Sequence, residues 1–171
     1  MRTTRYDAGR HRVYAAERSA RKKLKDQYQR YATLAACQAF TDRITASPVW
    51  QAMQAPHPVR LKAMPRIGKK RWFVRRRSLG LAKFIKDRES GNITFSHISL
   101  APREPWKAIG GGWDNFTILH ELAHAANTWQ EKHGTGFLNT HLKLIDTALG
   151  SEAAAIFRQA YLEHGVNLMD E

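Results

Sequence analysis

The chain has 171 residues, 43% of them hydrophobic and 25% charged, with a formal charge of +13 and one cysteine. That length suits one ordinary core, so a single domain over 1–171 is expected, with a basic helical segment at 1–30. The lone Cys37 excludes an internal disulfide. The lack of a run of about 18 apolar residues, or of an apolar leader, argues against a membrane partner or secretion and points to a cytoplasmic protein.

The charge is uneven. Residues 1–90 hold 23 Lys and Arg against 6 Asp and Glu, a net +17, while residues 91–171 carry −4. The clusters are Arg21-Lys22-Lys23-x-Lys25 and Lys69, Lys70, Arg71, Arg75, Arg76 and Arg77, the second interrupted by Trp72 and Phe73. Basic residues interleaved with aromatics suit phosphate contacts and base stacking, so nucleic acid is a candidate partner of the basic half. A solvated basic face that aids solubility or attracts acidic proteins explains the same charge.

In chain order, Arg10 to about Asp26 reads as an amphipathic helix with Val13, Ala16, Ala20 and Leu24 on one side. Tyr31 to about Thr45 reads as a second, with Leu34, Cys37 and Phe40 inward. Ser47-Pro48 should end it, because proline disfavours helix in the residue before it. Residues 54–58 are loop. Val59–Ala63 alternates apolar and basic, a strand pattern with one wet face. Arg71–Arg77 is a second strand candidate, and Leu81–Lys86 is ambiguous between strand and short helix.

A turn at Glu89–Asn92 precedes the clearest strand, Asn92–Leu100. If that strand lies at the sheet edge, an extended peptide could pair with it. His97 on it is an ordinary strand histidine. Gly110-Gly111-Gly112 is a hinge, a close-approach point or a plain connector. Asp114 is placed to cap the next helix. Phe137–Leu149 is amphipathic and ends at Gly150. Ser151 can cap a last helix from Glu152 to about His164, ended by Gly165.

The most informative stretch is His120-Glu121-Leu122-Ala123-His124, an H-E-x-x-H box in the apolar run Ile118–Ala126. Residues four apart share one helix face, so His120 and His124 can place two imidazole nitrogens on one ion at about 2.0–2.1 Å. Glu121 then sits beside the ion, where it can take a proton from the water that the ion activates. With 8 His and 8 Glu in 171 residues, shuffling yields the box with a chance of roughly 2%. A solvated histidine face does not fit the apolar setting, and buried polar groups need partners, which a metal supplies.

A catalytic zinc usually has three protein ligands. His133, in His133-Gly134-Thr135-Gly136-Phe137, is the leading third candidate, with Gly134 and Gly136 allowing a tight turn of positive φ. Glu131 and His141 are rivals, although His141 alone reads as a surface helix histidine. The metzincin spacing, with a third His six residues after the second, is not present.

His-Glu-x-x-His followed by His-Gly-x-x-Phe resembles the SprT-like zinc metallopeptidases. The segment Arg12-Val13-Tyr14-Ala15-Ala16-Glu17 and the stretch from Leu142 to Val166 add a likeness to small bacterial and phage-encoded metallohydrolases. The resemblance implies an α+β, zincin-like fold: a small twisted β-sheet with packed helices and the metal helix at the cleft. It implies one catalytic zinc on His120, His124 and His133, with Glu121 as general base and a protein or peptide as substrate. Hydrogen-bond acceptors on the far side of the imidazoles must fix their orientation, and Asp146 and Asn127 are available. A nucleic-acid-associated protein with a closed, four-ligand structural zinc, or an amidase acting on a non-protein substrate, would share the metal box.

Overall fold

The structure is a computed structural model, and it describes residues 9–64, 79–101, 112–127 and 132–168. Among these residues the architecture is α+β, with six α-helices and one mixed three-stranded sheet. The elements are α1 (Arg10–Lys23), α2 (Leu34–Thr45), α3 (Pro48–Ala52), β1 (Leu61–Ala63), β2 (Gly80–Lys86), β3 (Ile93–Leu100), α4 (Asn115–Ala126), α5 (Thr135–Leu149) and α6 (Ser151–Glu163).

The organising element is α4. Every residue from Asn115 to Ala123 is buried, the polar Asn115, Thr117, His120 and Glu121 included, so the helix is enclosed on all sides and those four groups need partners. It packs against α5 and α2 and against β2 and β3 of the sheet. Ile118, Leu119 and Leu122 are fully buried in the core, together with Phe137, Leu144 and Phe157. The α1 helix reaches the same core by packing on α6, which in turn packs on α5.

The chain between α1 and α2 is tied across the start of α4. Asn115 Nδ2 donates to the Gln27 carbonyl at 2.8 Å, and the Gln29 N–H donates to Asn115 Oδ1 at 3.1 Å. The Tyr31 N–H reaches the Trp113 carbonyl at 2.9 Å. These bonds hold α1 beside α4. On the other side, Gln38 of α2 accepts from the Leu61 N–H and donates to the Val59 carbonyl, both at 2.8 Å, fixing β1.

Strand order is β1-β3-β2, with β1 parallel and β2 antiparallel to β3. The Asn92–Leu100 segment therefore forms the central strand, not an edge. Among the described strands the edge beside α4 is β2. The ambiguous Leu81–Lys86 stretch is strand because it pairs along β3, with Leu81, Lys83 and Ile85 outward and Ala82 and Phe84 half-buried.

Other expectations shift in instructive ways. Pro48 ends α2 only to start α3, because Ser47 caps it by accepting the Trp50 N–H and proline suits a first helical turn. Ser151 is the first residue of α6 and makes no cap. Neither Gly134 nor Gly136 has positive φ: Gly134 caps α5 at φ −76°, and Gly136 lies inside that helix. Gly112 is a close-approach point, since a Cβ there would overlap the Leu79 carbonyl oxygen. Gly110, Gly111, Glu131 and the Arg71–Arg77 strand candidate lie outside the described residues. No described helix is long and apolar enough to cross a membrane.

Asp114 caps α4, its Oδ1 accepting the Thr117 N–H and its Oδ2 the Thr117 hydroxyl, both at 2.8 Å. Replacing such a cap by alanine costs about 1 kcal/mol. Asp114→Ala is expected to lower the unfolding free energy by that amount, read as a lower urea midpoint at unchanged slope, and an unchanged midpoint would show that the cap is dispensable.

Candidate metal centre

The α4 helix carries His120 and His124 one turn apart, and His133 arrives from the residues just before the α5 cap. Ligand nitrogens of the three lie within 4.8 Å of one another. The rings crowd together, with centroids 4.9 Å apart for His120–His124, 4.8 Å for His124–His133 and 5.4 Å for His120–His133. Phe137, fully buried, packs its ring against all three. Asn127 closes the loop by donating from Nδ2 to the carbonyls of Ala123 and Gly136, both at 3.1 Å. That bond ties the end of α4 to the first turn of α5 and so sets where His133 falls.

The donor chemistry fits a divalent ion. Neutral imidazole is the ligating form, and burial, with His120 and His133 nearby, pushes the His124 pKa down to about 2. His120 is oriented from behind. Its Nδ1 lies 2.6 Å from Oε1 of Glu17, a buried carboxylate on α1. With the Nδ1 proton held there, Nε2 is the nitrogen available to an ion. Burial alone would raise the Glu17 pKa, but the charge and hydrogen bond of His120, with the charge of Arg21, carry it well below the usual carboxylate range.

Glu17 replaces both acceptors expected from the sequence. Asp146 is exposed on α5, and Asn127 is engaged by the Ala123 and Gly136 carbonyls. The signal for Glu17 was present: it sits four after Val13 and three before Ala20, on the apolar side of a helix, where an unpartnered acid would be costly. His141 is no surface histidine. It is 1% exposed, and its Nδ1 meets the Tyr161 hydroxyl at 2.7 Å and Glu17 Oε1 at 4.0 Å. Burial holds it neutral, pushing its pKa down to about 3. It stands in a layer behind the three converging histidines, and no fourth donor joins them among the described residues.

Glu121 is positioned by the sheet. The Ala82 N–H of β2 donates to its Oε2 at 2.8 Å. Gly80, two residues earlier, leaves the space the carboxylate fills, because a Cβ there would overlap Glu121 Cγ and lie 2.7 Å from Oε1. Burial raises the Glu121 pKa, against the pull of His120 and the Ala82 N–H. Tyr14 of α1 packs beside the cluster, its ring centroid 5.6 Å from His120 and 5.3 Å from His133. A cleft of about 200 Å³ opens between α1 and α4 onto His120 and Glu121, with Leu79 and Gly80 on its wall.

His97 lies on the central strand and bonds Ser96 Oγ at 2.8 Å, away from these groups. Lys22, Lys23 and Lys25 of the first basic cluster are exposed, whereas Arg21 pairs with Glu17. Lys69, Lys70, Arg71, Arg75, Arg76 and Arg77 lie outside the described residues. No family model matches the chain, and neither the curated proteins nor the solved structures contain a significant match.

Removing an outer-sphere partner of a ligating histidine typically costs about 10–100-fold in metal affinity. Glu17→Gln is expected to weaken zinc binding by that factor in a competitive chelator titration while keeping the fold. Unaltered affinity would detach Glu17 from the metal.

The pH dependence has a definite sign. Burial opposes charge on His120, yet the Glu17 carboxylate raises its pKa above the ordinary 6.5. Protons thus compete with the metal for this ring to higher pH than for a free histidine. Zinc affinity should be full above the raised value and fall as pH drops through it, beginning above pH 6.5. In Glu17→Gln the fall should begin at lower pH.

Proposed function

We propose that this protein is a zinc-dependent hydrolase that cleaves peptide bonds, with His120, His124 and His133 holding the ion and Glu121 as general base. The observation that carries the reading is the pairing of three converging imidazoles with a buried carboxylate one residue after the first of them. Membership of the SprT-like group, a zincin-like fold and a cytoplasmic location belong to the same proposal. They rest on the H-E-x-x-H and H-G-x-x-F motifs and, for location, on composition.

A bound zinc ion would supply Lewis acidity and lower the pKa of its water to about 7. The chain supplies the remainder. Glu121 is buried beside the three histidines, and the Ala82 N–H holds one of its oxygens in place. The carboxylate takes a proton from the attacking water and passes it to the leaving amine. Glu17 keeps the His120 ring oriented throughout. Substrate reaches these groups through the cleft between α1 and α4.

A closed structural zinc would need a fourth protein ligand. Of the two residues the sequence offers for that role, Glu131 lies outside the described residues and His141 stands behind the cluster without joining it; that only three donors converge among the described residues favours the hydrolytic reading.

General-base catalysis contributes about 10²–10⁴-fold. Glu121→Gln is expected to bind one zinc per chain, as wild type does, and to lose turnover of an unfolded protein such as casein by that factor. His133→Ala should lose most of the metal. Equal turnover by wild type and Glu121→Gln would remove the base assignment.

A further inference from the structure

The wall of the cleft facing the site is a single face of α1. Tyr14, Glu17, Arg18 and Arg21 recur there at helical spacing, opposite Thr117, His120 and Glu121 of α4. The cleft thus holds two carboxylates and two guanidinium groups, and these differ in how fully they are used.

Both carboxylates are engaged. Glu17 accepts from His120 Nδ1 at 2.6 Å and lies 3.5 Å from Arg21 Nη2. Glu121 accepts the Ala82 N–H. The cations are not saturated. Arg18 is exposed and makes no ion pair among the described residues. Arg21 spends one nitrogen on Glu17, and its Nε is buried with no hydrogen-bond partner.

Arg21 is also held still, by Glu17 on one side and by the Phe116 ring, 5.5 Å from its guanidinium carbon, on the other. A guanidinium offers five donors in a rigid fork that matches a carboxylate. One already fixed in place gives up little conformational freedom when an anion arrives.

We propose that Arg18 and Arg21 form a carboxylate-binding subsite of the cleft, selecting substrates with a carboxylate near the bond attacked. This rests on the hydrolase reading above and assigns its substrate class. The carboxylate is either an acidic side chain or the carboxyl end of a peptide. Both present the same planar pair of oxygens to the arginines.

The test uses the full chain loaded with zinc and three hydroxamate-capped peptides of equal length, with binding measured by calorimetry. One is neutral with an amidated end, one carries an acidic side chain and an amidated end, and one has a neutral side chain and a free carboxyl end. At least one charged probe is expected to bind about tenfold more tightly than the neutral one, and which one does so identifies the source of the carboxylate. Arg18→Gln, at an exposed position, should abolish most of that advantage and leave the neutral probe unchanged. Arg21→Lys, which keeps the charge but loses the fork, should reduce it.

Equal binding of all three probes by wild type would overturn the subsite and leave the hydrolase reading standing. So would an advantage that survives both substitutions, since net charge alone then accounts for it. If none of the three binds the zinc-loaded protein, the metal-centred reading fails and the subsite fails with it.

Discussion

The contact on which the site depends is the short bond between Glu17 and His120. It joins residues 103 positions apart, in the first and fourth helices, and both side chains are almost wholly buried. A carboxylate in such a place is costly unless it is paired. Here it serves His120, Arg21 and the Tyr161 hydroxyl together. The cost of burying it is thereby converted into orientation of a ring that would otherwise rotate about its own side-chain bonds. The ties of Asn115 to Gln27 and Gln29 carry the same constraint through the backbone, because they hold α1 against the start of α4.

Around that contact the groups fall into layers. His120, His124 and His133 share one small volume against Phe137, with Glu17 behind the first ring and His141 and Tyr161 deeper still. Glu121 leaves the helix in another direction, toward the start of β2 and the open cleft. Neighbouring positions on one helix turn thus meet different surroundings: His120 faces the α1 carboxylate and Glu121 the edge of the sheet. That separation is what two distinct chemical roles require, since pKa values follow environment rather than residue type.

The three converging histidines and Glu121 were legible because their spacing is local. His120, Glu121 and His124 follow from helical geometry, and His133 from a second motif nine positions on. The groups that complete the site come from distant chain segments. Glu17 lay on the apolar side of a helix, a signal in the periodicity of α1, but nothing local connects it with His120. Gly80 and Ala82 could not be connected with Glu121 before the order of the strands was known. Strand order is hidden for the same reason: the pattern of residues 92–100 predicts a strand well but says nothing about which neighbours flank it, and the strand proves to be central. The Gly134–Gly136 turn illustrates another limit. Glycine permits a positive φ without requiring it, and here the chain simply enters a helix.

The bond from Ala82 to Glu121 links the carboxylate to the pairing of the sheet. Successive N–H groups along a strand point to opposite edges, so only alternate residues of β2 can offer theirs toward α4. With Gly80 opposite Leu100 and Ala82 opposite Ile98, the small residues and the outward amide fall where Glu121 needs them. A slip of one residue against β3 would bring the bulk of Leu81 to the place now left open and turn the amide away. The alignment of two strands therefore doubles as the gauge that sets the reach of a side chain on a helix, and lengthening or shortening the 87–92 turn would be felt some distance from where it was made.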